Sequence, residues 1–143
     1  PYLVGMAYAG YAMFMAVGRF TGDMLIPKFG KKNLVIGGGL LSALSMSALL
    51  ILHEPWAAIV GFSLVGLGFS CIVPILYSSA ANEPGYTAES AIAVVSTISF
   101  TGFFIGPPII GFISEQYGLS LALILVVGLS IMISAIGTMI HFK

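Results

Sequence analysis

Charge is what this chain has least of. Five Lys or Arg and five Asp or Glu make up 7% of its 143 residues, where soluble domains carry about a quarter. That scarcity excludes a water-facing globule, because so few ionised side chains cannot clothe a soluble surface of this size. The charges cancel to zero, which leaves no electrostatic footprint for nucleic acid or an acidic partner. Cysteine is nearly absent as well. Cys71 stands alone in an apolar run, so no internal disulfide forms and no thiolate cluster can hold a metal. His53 with Glu54, and the distant His141, are too few and too scattered for a metal site. No Ser-His-Asp or Cys-His set can be assembled at a credible depth, so the chain does not read as an enzyme and no cofactor is expected. Pro1-Tyr2-Leu3 brings neither an initiator Met nor a basic lead-in, and reads as neither a natural start nor a signal peptide. The chain is therefore expected to be a fragment.

What is present is apolar. Hydrophobic residues make up 59% of the chain and the mean hydropathy is +1.10. Crossing roughly 30 Å of hydrocarbon takes about 20 residues of helix, and five stretches qualify: 2–26, 34–52, 56–79, 90–114 and 119–140. The fold class that follows is an all-α membrane protein with five transmembrane helices in one partial domain, 1–143. The breaks fall at 27–33, at His53-Glu54-Pro55, at 80–89 and at Glu115-Gln116-Tyr117-Gly118, each bearing Gly or Pro, charge, or both. Thr87 is placed to cap the fourth helix, with Glu89 in its first turn where the helix dipole favours an anion.

Half of the formal charge sits in one segment. Arg19 and Asp23, close to the end of the first span, and Lys28, Lys31 and Lys32, in the connection to the second, form one cluster, because lipid excludes charge and the water interface accepts it. Alternating the spans puts Lys28, Lys31, Lys32 and Lys143 on one side, while the loops of the other side hold no Lys or Arg. The basic side is then cytoplasmic, the carboxyl terminus with it, and Pro1 lies outside. Trp56 and Tyr117 fall near the outer interface, where amphipathic aromatics are favoured.

A weak internal repeat runs at an offset of 88 residues. Gly18 stands to Phe29-Gly30 as Gly106 stands to Tyr117-Gly118, with Ser42 matching Ser130. The first copy runs outside to inside and the second inside to outside, so the repeat is inverted, as in many secondary transporters.

These features resemble the major facilitator superfamily. Its loop signature joins a Gly, an Asp and a basic residue to a Gly and two further basic residues, and Lys28-Phe29-Gly30-Lys31-Lys32 looks like the second part. Pro27 stands where the usual Asp would be, and the acid is found at Asp23 instead. Gly18-Arg19-Phe20-Thr21-Gly22-Asp23, Gly68-Phe69-Ser70 leading to Pro74, and the run from Gly102 through Gly106-Pro107-Pro108 to Gly111 look like the fucose-permease-like branch. The resemblance implies a twelve-helix carrier with inverted repeats, of which these are the eighth to twelfth helices; the same loop in the amino-terminal half makes helices two to six the other placement. It also implies alternating-access transport of a small polar solute such as a sugar, by symport across the bacterial inner membrane. The partners are then the solute, the bilayer and the remaining helices. Two other functions stay open: an efflux antiporter for amphipathic compounds, whose Gly-Pro signature the fourth span also resembles, and a non-transporting membrane scaffold.

Candidate site residues follow. Arg19 lies roughly 13 Å from Lys28 along the helix, and Asp23 is one turn away on the same face, so a pair or a snorkelling Arg is expected. In the superfamily this loop acts as a cytoplasmic gate, which assigns that role to Gly18, Arg19, Gly22, Asp23, Lys28, Gly30, Lys31 and Lys32; the plainer reading is an interfacial anchor. Tyr8 and Tyr11, spaced i and i+3, suit a solute that is stacked and hydrogen-bonded, or else simple helix packing. Ser70 and Tyr77, with Ser96 and Ser99, are the other cavity candidates, although serines in membrane helices usually bond a nearby carbonyl. Gly102 and Gly106 form a small-residue face, and Pro107-Pro108 removes two amide donors, so close packing and a kink or hinge are expected there, with Gly111 beyond. Gly37-Gly38-Gly39 lies inside a span and is no phosphate loop.

Overall fold

The computed structural model describes residues 2–142. Six helices run in order: α1 (Tyr2–Phe29), α2 (Lys31–Leu52), α3 (Pro55–Ser70), α4 (Ile72–Ala81), α5 (Ala88–Tyr117) and α6 (Leu119–Met139). Because α3 and α4 lie in one apolar stretch, Pro55–Ala81, they make a single span, and five helical stretches are long and apolar enough to cross a membrane. Lys143 and Pro1, assigned to opposite sides of the membrane above, lie outside the described residues.

Two of the expected loops shrink to a single glycine. The helix continues through Pro27 and stops only at Gly30; the fourth span continues through Glu115 to Tyr117 and stops at Gly118. Gly30 holds φ 80°, ψ 152° and Gly118 holds φ 90°, ψ 158°, a conformation closed to residues with a Cβ. In both, the glycine amide still donates to the preceding helix, to Ile26 at 2.9 Å and to Ser114 at 3.0 Å. The 88-residue repeat is thus a repeat of backbone geometry. Ser42 and Ser130, matched by the same offset, are both fully buried and both donate to the carbonyl four residues back at 2.9 Å.

The third span differs from expectation: it breaks at Cys71. Pro74 has no amide to give to the carbonyl of Ser70, four residues back, and its ring crowds that carbonyl, so the ladder parts there. Elsewhere the ends follow local chemistry. Glu54 is extended before Pro55, which opens α3. Thr87 accepts the Ser90 amide at 3.3 Å with Glu89 in the first turn, as its sequence foretold.

Packing is close because the facing residues are small. Gly10 and Gly18 of α1 lie against Ser63 and Ser70 of α3, and Gly66 of α3 lies on the backbone carbonyl of Tyr11, with no room for a methyl group at any of them. The triple glycine serves two neighbours at once: Gly38 meets the Gly68 carbonyl of α3, while Gly39 meets Ser130 and Ser134 of α6. Such contacts let backbones approach without a hydrophobic driving force, which lipid does not supply. The Ser134 hydroxyl crosses between helices to the Ile36 carbonyl at 2.9 Å. By contrast α5 has no buried residue and is held on one side only, by α4 and α6.

Candidate functional site

Two grooves open at opposite ends of the bundle. The first, about 710 Å³, lies at the Gly118 end between α1, the α2–α3 turn and the start of α6, and Tyr8 and Tyr11 line it with Phe62, His53, Glu54 and Ser120. The second, about 570 Å³, lies at the lysine-bearing end between α4, α5 and the segment after α6, lined by Ser79, Asn82, Glu83, Tyr86, Ser99 and His141. In it the buried Ser79 hydroxyl has no hydrogen-bond partner among the described residues. Neither groove was legible as such, since each is assembled from three elements.

The expected cavity residues therefore separate. Tyr8 and Tyr11 share the first groove and Ser99 lines the second. Tyr77 and Ser96 meet each other instead, their hydroxyls 3.1 Å apart across α4 and α5. Ser70 touches neither groove: it is 1% exposed, donates to the Leu67 carbonyl at 2.6 Å and fills the space above Gly18.

The charged segment divides in the same way. Gly18 and Gly22 face inward, with Gly22 over the Cys71 sulfur at the break in the third span. Arg19, Asp23, Lys28 and Gly30 are exposed, and Lys31 and Lys32 are half-buried. The expected Arg19–Asp23 pair is not formed. Arg19 Nη2 donates instead to Met15 Sδ at 3.6 Å, one turn in the other direction. Helical side chains lean toward the amino terminus, and a base placed before its acid at i, i+4 is the poorer arrangement, so Arg19 reaches back.

On α5, a Cβ at Gly102, Gly106 or Gly111 would meet nothing, so the face expected to pack is uncovered in this chain. Pro107 and Pro108 lie within α5, and the helix continues through both.

An MFS-type transporter of Yersinia pestis, itself uncharacterized, is 39% identical over 122 residues, covering 85% of this chain and 32% of its own length. The membrane protein MosC of Rhizobium meliloti is 31% identical over 129 residues, 90% of this chain and 32% of that protein. A protein of Agrobacterium vitis whose name offers tartrate as its candidate solute is 32% identical over 108 residues, 74% of this chain and 25% of that one. No solved structure matches at a significant level. The chain spans about a third of the length of the first two relatives. Five long apolar helices, relatives named as transporters and a Major Facilitator Superfamily profile matched over residues 1–142 agree: this chain belongs to the major facilitator superfamily.

Proposed function

We propose that this chain is the eighth to twelfth helices of a fucose-permease-like secondary carrier that moves a small polar solute by alternating access and symport. The bacterial inner membrane holds it, with Lys28, Lys31, Lys32 and the carboxyl terminus cytoplasmic. The observation that carries the reading is the pair of grooves at opposite ends of one bundle, joined by spans whose turns repeat the same geometry at Gly30 and Gly118. A carrier that rocks between two states needs a way in at each end and related halves to exchange roles.

Asp23, Lys28, Lys31 and Lys32, set on the turn at Gly30, form the cytoplasmic gate, reaching from α1 and α2 to the helices outside this chain. Gly18 and Gly22 serve it from the other side by letting α1 lie on Ser70 and Cys71, where the third span bends. Tyr8 and Tyr11 meet the solute on the outer side and Ser99 on the inner side. Gly102, Gly106 and Gly111 present a smooth face of α5 to the missing half, with Pro107-Pro108 as its hinge.

The test is accumulation. Proteoliposomes holding the full-length carrier are expected to concentrate a labelled small polar solute under an imposed ion gradient and to lose the accumulation when an ionophore collapses it. Uptake that stops at equilibration would remove symport, and no uptake of any such solute would leave a membrane scaffold.

A further inference from the structure

We infer that Arg19 recognises a carboxylate on the solute, so that the substrate class of this carrier is hydroxylated organic acids; the inference rests on the carrier reading above. Four side chains of α1 share one side of the helix. At 100° per residue Tyr8, Tyr11, Met15 and Arg19 fall within about 80° of one another, and the first two line the outer groove. Arg19 lies about 13 Å above Lys28, a depth at which a guanidinium turned to lipid is costly and rare. This face of α1 therefore meets protein or water.

The guanidinium is also available. Its hydrogen bond runs to the weak acceptor Met15 Sδ at 3.6 Å, and no carboxylate among the described residues pairs with it. Asp23, the natural candidate, sits on the wrong side of it in the chain for the lean of helical side chains. Because Arg19 leans back, its charge is carried to the level of Met15, which leaves about 6 Å of helix between it and Tyr11. A short hydroxylated chain spans that gap. Its carboxylate would take the two parallel donors of the guanidinium, its hydrocarbon edge would lie on Met15, and its hydroxyls would reach the phenols of Tyr11 and Tyr8. A neutral polyol would leave the guanidinium unmatched, and that difference supplies the selection.

The probes are D-gluconate and D-glucitol, which differ only in having a carboxylate or a hydroxymethyl group at one carbon. Binding to the purified full-length carrier is measured by calorimetry, with melting temperature as the folding control. Wild type is expected to bind gluconate and to prefer it over glucitol. Arg19→Gln should weaken gluconate about 10- to 100-fold, the range set by a lost charge-assisted contact. Arg19→Lys, which keeps the charge without the planar fork, should fall between them. Equal gluconate binding by wild type and Arg19→Gln overturns the inference, as does glucitol binding as tight as gluconate; the carrier reading would survive both. Binding of neither probe also overturns it, and leaves the carrier reading to the accumulation assay with other neutral solutes.

Discussion

Tyr77 and Ser96 show how little of a polar contact's meaning is carried by its residue types. Both were candidates for touching solute, and the structure joins them to each other at 3.1 Å. A hydrogen bond between membrane helices contributes about 0.6 kcal/mol on average, because the unfolded helix in lipid also finds partners. A double-mutant cycle of Tyr77→Phe and Ser96→Ala, followed by unfolding of the detergent-solubilised carrier, is expected to return a coupling of about that size. A coupling of zero would mean the two hydroxyls are bonded elsewhere. Four of the buried serines were more readable: Ser42, Ser45, Ser63 and Ser130 each donate to a carbonyl four residues back, the usual bond of a serine in a membrane helix. Arg19 stood out in the sequence but its contact did not, since spacing places Met15 and Asp23 equally one turn away and only the lean of the side chain chooses.

At the scale of the element, hydropathy located all five spans, and their interruptions were harder to place. Pro27 was read as the end of α1, yet it sits in the last turn, where the chain is about to stop in any case. Pro74 was read within an unbroken span, yet its missing amide opens the ladder at Ser70 and Cys71. The same residue type leaves the helix unbroken at Pro27, Pro107 and Pro108 and accompanies a break at Pro74, so the missing amide does not by itself decide where a helix parts. Pro74→Ala restores that donor. The variant is expected to melt higher than wild type by the equivalent of about 1 kcal/mol, the worth of a regained hydrogen bond, and to transport more slowly because the bend is lost. Unchanged transport would make the break architectural. Gly66 is the opposite case, a position whose role no pattern announces. A methyl group there would collide with the Tyr11 backbone carbonyl, so Gly66→Ala should force α1 off α3 at a cost of about 1–3 kcal/mol. Wild-type melting of that variant would show that the two helices are not in close contact.

Across the whole molecule the repeat ties the two ends together. Gly30 and Gly118 hold nearly the same positive φ at opposite ends of the bundle, so alanine at either should cost about 1–3 kcal/mol, and the two costs should be alike. A cost at one end alone would break the equivalence. The offset was visible in the sequence as a few matched residues; its content, one turn geometry used twice, belongs to backbone angles that residue names do not carry. The proposed cytoplasmic gate is tested at Asp23. Removing the charge of Asp23 while keeping its shape should weaken cytoplasmic closure and shift the balance between states by the 1–3 kcal/mol typical of such coupling, about 5- to 150-fold in their ratio. The direct measurement is cysteine labelling of the full-length carrier in sealed vesicles, in a Cys71→Ser background, with reporters Ser99→Cys in the inner groove and Ser120→Cys in the outer. Asp23→Asn is expected to raise labelling of Ser99→Cys from the cytoplasmic side and to lower labelling of Ser120→Cys from the outside. If both rates stay at their starting values, or rise together, this chain does not alternate between two faces and the account of it as part of a gated carrier is wrong.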